Sequence, residues 1–177
     1  MYAEESLSVY PFDEIAGPVT AYSFETTQAI VYTIAFIPTP YLLGEGSVFA
    51  PYIYELAIKV SQNNTNKRPP FDRLTARTVA VIFDYFYRRN DLTVILYICD
   101  SSDNRQLLRH SAFNRWFRDF KGQEYVKIDE ILADTKGDVY PVSLILKDNN
   151  PHKIQIIEAF LRTTLVHCNL SLFVFLV

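Results

Sequence analysis

The residues best suited to chemistry lie together, in a polar run between a predicted strand and a predicted helix. They are two aspartates, two serines, an asparagine and two arginines: Asp100, Ser101, Ser102, Asp103, Asn104, Arg105 and Arg109. Serine hydroxyls and the unpaired backbone N–H groups of a helix's first turn can hold an anion. An arginine can add two parallel hydrogen bonds to a phosphate or carboxylate. The run therefore predicts a binding site for a small anionic molecule.

The same residues also have a purely structural interpretation. An aspartate that precedes a helix commonly caps its first N–H groups and pairs with a nearby arginine. If Asp100 or Asp103 does this with Arg105 or Arg109, no room remains for a ligand. Capping and local ion pairs are the more ordinary of the two arrangements, and the sequence leaves both open.

Two predicted elements would position this run. Residues 92–99 are apolar without polar alternation, which is typical of a central strand covered on both faces. Residues 105–120 predict a helix rich in arginine and aromatic side chains, with Arg105, Arg109 and Trp116 near one side. In an open α/β sheet, ligands bind beyond the carboxyl ends of the strands. The polar run would then open onto such a crevice.

The rest of the chain predicts one mixed sheet with helices on both faces. Further strands are predicted at residues 20–24, 29–37, 53–60, 125–132 and 139–147, and further helices at 72–89 and from Asn150 to near His167. The fold class is therefore α/β (α+β), mostly antiparallel, in the order β-β-β-α-β-α-β-β-α. We expect an N-terminal arm at residues 1–17, a single domain at 18–166 and an apolar C-terminal segment at 167–177.

Composition restricts the function classes. A net charge of −3 and a pI near 5.6 argue against general nucleic-acid binding, which requires a basic surface. The acidic N-terminus does not resemble a secretory signal, so we expect a cytoplasmic protein. The apolar run at residues 170–177 is too short to span a bilayer, and we expect no membrane partner.

Metal and catalytic motifs are missing from the sequence. Cys99 and Cys168 lack the spacing of a metal site, and we expect two buried or idle thiols. The histidines are scattered, and no glycine-rich phosphate loop occurs. The chain is therefore expected to use no cofactor or metal and to be a binding module rather than an enzyme.

The order of elements from about residue 20 to 147 resembles the core of the GNAT acetyltransferase superfamily. That resemblance implies a glycine-containing acetyl-CoA loop before the first helix, whereas residues 67–76 contain no glycine, and Pro69 and Pro70 lack N–H donors. Asn104 matches an asparagine of the superfamily, but residues 105–120 contain no tyrosine to serve as its general acid. Acetyl-CoA is therefore disfavoured as a cofactor; if the chain is an enzyme, an N-acyltransferase-like transferase is implied.

Two shorter runs, residues 96–106 and 113–117, resemble an uncharacterised bacterial domain family of unknown function. Our leading interpretation is a binding or interaction module on a GNAT-like scaffold, with a protein partner or homodimer formed through the C-terminal segment. The alternative is a divergent acyltransferase or sensor that binds a CoA-like or nucleotide-like anion at residues 100–109. A toxin-like modifier of RNA or protein would use the same site.

Overall fold

The computed structural model describes residues 8–65, 69, 72–99, 105–120, 124–133 and 138–169. The elements are β1 (Phe12–Ile15), β2 (Thr20–Glu25), β3 (Ile30–Pro38), a short 3-10 helix (Ala50–Tyr52), β4 (Ile53–Asn63), α1 (Arg73–Tyr87), β5 (Val94–Ile98), α2 (Gln106–Phe120), β6 (Tyr125–Ala133), β7 (Val139–Lys147) and α3 (Lys153–Asn169). From β2 to α3 this is the predicted order of elements.

Within these residues, seven strands form one sheet in the order β1-β2-β3-β4-β5-β7-β6. Every neighbouring pair is antiparallel except β4 and β5, which are parallel. The predicted position of β5 in the middle of the sheet is confirmed, because it pairs with β4 on one side and β7 on the other. The α+β class, with a mostly antiparallel sheet, is confirmed as well.

Helices cover both faces of this sheet, as predicted. Helices α1 and α2 pack on one face, where Phe36 of β3 stacks on Phe86 of α1 with ring centroids 3.8 Å apart. Helix α3 packs on the other face, where Ile156 and Phe160 meet the buried leucines of β5 and β7. Residues of β5 alternate between these two apolar cores, which explains why its sequence shows no polar alternation.

Helix α1 begins where its sequence predicts. Asp72 is the N-cap, and its Oδ1 accepts a hydrogen bond of 2.9 Å from the backbone N–H of Leu74. Asp72 also accepts a 2.7 Å hydrogen bond from the Tyr10 hydroxyl, which ties the N-terminal residues to this helix. The predicted apolar stripe, Val79, Ile82, Phe83 and Phe86, is buried. The cap and the stripe together fix the start and the rotation of α1.

Two differences from the sequence prediction concern the two ends of the described chain. The residues predicted as an N-terminal arm contain β1, an edge strand with only four residues, in which three side chains are exposed. Such a strand has no apolar period to detect. Helix α3 runs to Asn169, two residues beyond its predicted end. Residues 170–177, which hold most of the predicted apolar C-terminal segment, lie outside the described part of the chain.

Among the described helices, none combines the length and the apolar character needed to cross a membrane.

Candidate functional site

The two parallel strands at the centre of the sheet stay together over a short distance only. Strand β4 pairs with β5 at three positions, from Ile53 opposite Val94 to Glu55 opposite Leu96. Beyond these positions β4 continues against β3, and Tyr97 and Ile98 of β5 continue against β7. We call this separation the β4–β5 fork. It begins beyond Glu55 of β4 and Leu96 of β5 and opens toward the carboxyl ends of both strands, the side on which ligands commonly bind in open sheets.

The predicted site follows β5 at this fork. Asp100, Ser101, Ser102, Asp103 and Asn104 lie outside the described residues, so their relation to the arginines stays a prediction. Of the predicted site, the structure describes Arg105 and Arg109.

Arg105 directly precedes α2 and is exposed, whereas Arg109, one helical turn later, is partly buried. The backbone N–H of Arg109 donates to the carbonyl of Arg105 at 3.0 Å, and both residues interact with other groups of the protein. The charge of Arg109 acts on the side chains of Tyr97 and Cys99. The charge of Arg109 therefore acts on the last residues of the β5 strand segment, and the predicted role of Arg109 in anion binding stays a prediction.

Cys99 directly follows the last residue of β5 and is 1% exposed. Burial raises the pKa of its thiol to about 11, and the hydrogen bond with Tyr97 and the charge of Arg109 only partly oppose this rise. A thiol with so high a pKa is a weak nucleophile at neutral pH, because the thiolate is the reactive form. The predicted burial is confirmed for Cys99, while the Cys168 side chain lies outside the described set.

A second group of polar side chains lies between α2 and the strands beside β5. We call it the polar cluster: His110 and Asn114 of α2, Lys127 and Asp129 of β6, and Ser143 of β7. The helical pair is four residues apart and the β6 pair two apart, so each pair shares one side of its element. All five side chains therefore meet on the sheet face that α2 covers.

Asp129 is the centre of the polar cluster. Its Oδ1 accepts a hydrogen bond of 2.7 Å from the Ser143 hydroxyl, lies 3.2 Å from Nε2 of His110 and also pairs with the ammonium of Lys127. Lys127 donates a second hydrogen bond to Oδ1 of Asn114. One carboxylate thus joins two strands and one helix.

Lys127 and Asp129 form an ion pair whose two side chains differ in burial, and this difference affects both pKa values. The Lys127 side chain is 7% exposed and that of Asp129 is 39% exposed. Burial lowers the pKa of Lys127, although its bond to Asp129 opposes this change. Burial acts to raise the pKa of Asp129, but hydrogen bonds from Lys127 and Ser143 outweigh it and lower this pKa. The carboxylate is therefore charged at neutral pH and compensates the buried ammonium.

The cluster contains serine, histidine and aspartate, but its geometry is not that of a hydrolytic triad. In a triad the serine and the aspartate contact opposite nitrogens of the imidazole. Here Ser143 and Asp129 both approach Nε2 of His110, at 3.4 and 3.2 Å. Ser143 is also 0% exposed, so a substrate cannot reach it. The arrangement supports the packing of α2 on the sheet rather than acyl transfer.

Sequence reasoning did not identify the polar cluster, although a signal was present. Lys127 and Asp129 alternate along β6 on the side of Tyr125, which is buried. Two charged side chains on the inward side of a strand are unusual unless they are paired. In the portion of the chain with described coordinates, no three side chains of metal-binding type come together.

Comparison with curated proteins and with solved structures found no match. Residues 72–162 do match a family of unknown function, DUF6169. This is about half of the chain, from the N-cap of α1 into α3, and it contains β5, Arg105, Arg109 and the whole polar cluster. On this match, the chain belongs to the DUF6169 family, whose function is unknown.

Proposed function

We propose that this domain is a non-catalytic binding module that holds the anionic group of a ligand at the β4–β5 fork, beside Arg105 and Arg109. The observation that carries the proposal is the separation of β4 and β5 after three paired positions, with the charge of Arg109 at the end of β5. The divergence of a central strand pair, with a guanidinium charge acting on the residues at the end of one strand, suits a phosphate or carboxylate.

The state of the nearby reactive groups supports binding without catalysis. The Cys99 thiol is buried with a pKa raised to about 11, and the Ser143 hydroxyl is buried and bonded to Asp129. Catalytic nucleophiles are instead activated by a lowered pKa or an adjacent base, within reach of the substrate. Neither of these two groups meets that requirement.

Thermal-shift measurements and calorimetry with inorganic pyrophosphate, ADP, CoA and acetyl-CoA test this proposal. A ligand at 100 times its dissociation constant stabilises the folded state by about 2.7 kcal/mol. We expect stabilisation by at least one of these anions and its loss in the variant Arg109→Gln. Arg115→Gln is the matched control, because Arg115 is an exposed arginine on the same helix. An equal effect in both variants, or no effect of any anion, would contradict the proposal.

The alternative proposal is an acyltransferase of GNAT type that uses the same fork. It is supported by the order of elements from β2 to β7, which is the order that the resemblance implies. The missing glycine loop and the lack of a tyrosine in α2 weigh against it. Release of CoA from acetyl-CoA in the presence of an amine acceptor, abolished by Arg109→Gln, would favour this alternative.

Self-association is proposed as a second property of the module, because residues 170–177 are almost wholly apolar. Sedimentation of the full chain over a micromolar concentration range tests it. We expect a dimer that dissociates in the double variant Phe173→Asp, Phe175→Asp. A wild-type chain that is monomeric throughout this range would contradict it.

A further inference from the structure

A separate groove of about 140 Å³ lies between α1 and α2, at the beginning of β6. Five aromatic side chains are among the residues that line it: Phe83 of α1, Phe113, Trp116 and Phe117 of α2, and Tyr125 of β6. The groove is distinct from the β4–β5 fork, since none of its lining residues belongs to β4 or β5. It also lies within the part of the chain that matches the family.

The space exists because two of the α1 residues that line the groove have small side chains. Ala76 and Ala80, one turn apart on α1, face the large rings of α2. Protein interiors are normally packed at crystal density, and unfilled space forfeits contact energy. An apolar cavity of about 150 Å³ is large enough for one benzene ring. The groove therefore has the size and lining for a single aromatic ring.

Two carboxylates give the groove a negative edge. Asp84 and Glu124 both line it, and their charges, after burial, contribute to raising the pKa of the Tyr125 hydroxyl. Asp84 is partly neutralised, because its Oδ2 pairs with Arg88 at 2.8 Å and its Oδ1 accepts from Tyr125 at 3.2 Å. Glu124 is exposed at the edge. The rings of Phe113 and Phe117 already lie 5.9 Å from the Lys127 ammonium, so the exposed Glu124 carboxylate and the rings of Trp116 and Tyr125 are the groups that attract an organic cation.

Trp116 supplies a further polar feature. Its indole Nε1 is buried and has no hydrogen-bond partner among the side chains and backbone that the structure describes. A buried N–H without an acceptor costs free energy, which a ligand oxygen would recover once binding turns the Trp116 ring enough to expose Nε1.

We propose that this groove binds a small hydroxylated aromatic amine, with the ring between α1 and α2, the ammonium at Glu124 and the hydroxyl as acceptor for Trp116. Tyramine has each of these groups and serves as the probe. Its neutral analogue is tyrosol, in which an alcohol replaces the amine, and its anionic analogue is the corresponding carboxylate. The three ligands share the ring and differ in charge.

The chain itself provides the reporter, because Trp116 is its only tryptophan. Selective excitation of tryptophan, with addition of each ligand in turn, measures binding directly at the groove. We expect a saturable change in emission with tyramine, weaker binding of tyrosol and the weakest binding of the carboxylate. The ratio of tyramine to tyrosol affinity should reach up to about fivefold, the upper end for an exposed charge pair.

Two variants assign this binding to the groove. Glu124→Gln should weaken tyramine and leave tyrosol unchanged, whereas Glu158→Gln, the same change at an exposed position on α3, should alter neither. Ala80→Leu should fill the groove and abolish binding of both, and Glu124→Gln remains decisive if the Ala80→Leu chain does not fold. Arg109→Gln should leave tyramine binding intact, which separates this site from the β4–β5 fork.

Unchanged emission with all three ligands would overturn the proposal. Equal affinity for tyramine and the carboxylate, or equal tyramine affinity in wild type and Glu124→Gln, would also overturn it.

Discussion

Asp129 and Ser143 lie opposite each other on β6 and β7, and the Ser143 hydroxyl donates a 2.7 Å hydrogen bond to the Asp129 carboxylate. This bond lies beneath α2, where Lys127 is held in the same network with little exposure to water. The Lys127 ammonium is also 5.9 Å from the ring centroids of Phe113 and Phe117. An aspartate on β6 thus allows a lysine to be buried among aromatic rings.

Removing the Asp129 charge should therefore destabilise the fold. Asp129→Asn leaves the buried Lys127 ammonium without its compensating charge, and we expect a loss of about 1 to 3 kcal/mol in the free energy of unfolding. The value is below that of a fully buried pair because Asp129 is 39% exposed. Urea unfolding measures it.

The double variant Lys127→Met, Asp129→Asn is the control for that measurement. It removes both charges, so its loss should be smaller than that of Asp129→Asn alone. A loss below about 0.5 kcal/mol for the single variant, the range of ordinary surface substitutions, would show that the pair is unimportant.

Asp72 should make the stability of the domain depend on acid pH. Burial acts to raise the pKa of Asp72, but hydrogen bonds from Tyr10 and Thr75 outweigh it and hold this pKa below its usual value. The folded state therefore favours the charged carboxylate. Its contribution to stability is present above the ordinary aspartate pKa of about 4 and is lost as the pH falls through the lower folded-state value.

The variant Asp72→Asn isolates this effect, because asparagine is also a good N-cap but does not titrate. Its free energy of unfolding, measured from neutral to acid pH, should decline less steeply than that of wild type below about pH 4. Asp72→Ala should instead lose about 1 kcal/mol at neutral pH, since it removes the cap. Parallel acid profiles for Asp72→Asn and wild type would refute the role of the Asp72 charge.

The sequence predicts single helices and strands better than it predicts contacts between residues far apart in the chain. Helix α1 and strand β5 were predictable because their apolar spacing reflects burial: Val79 to Phe86 follow a helical period, and β5 is apolar on both sides. The polar cluster was not predictable in this way. Asp129 and Ser143 meet only through the register of β6 and β7, and His110 joins them from an element 19 residues earlier in the chain than Asp129.

The groove and β1 escaped prediction for other physical reasons. Ala76 and Ala80 look like ordinary helix formers, and only the facing aromatic side chains of α2 turn their small size into an open space. Strand β1 pairs along one edge with β2 and buries little, so its four residues carry no period. Long-range packing, rather than local propensity, determines both features.

A buried hydroxyl that links α1 to β7 offers a further test of the core. Tyr87 is 0% exposed, and its hydroxyl donates a 2.7 Å hydrogen bond to the carbonyl of Ile145. Tyr87→Phe leaves that carbonyl without this donor, and we expect a loss of about 1 kcal/mol in the free energy of unfolding. Tyr41→Phe is the matched control, because Tyr41 is 55% exposed, and it should change stability little. Equal unfolding midpoints for the two variants would contradict the importance of this bond.

Cys99 should be almost unreactive toward thiol reagents in the folded protein. Its pKa is raised from 9.0 to about 11 by burial, so the thiolate fraction at neutral pH is about 100-fold below that of an ordinary thiol. In the variant Cys168→Ser, which leaves Cys99 as the only cysteine, alkylation by iodoacetamide should be slower than that of free cysteine by at least about this factor, since burial also blocks access. The same chain in denaturant is the control and should react at the rate of free cysteine. Fast alkylation of the folded variant would mean that the carboxyl end of β5 is open to small molecules at Cys99 itself, and the anion site at the β4–β5 fork would then have to include this thiol.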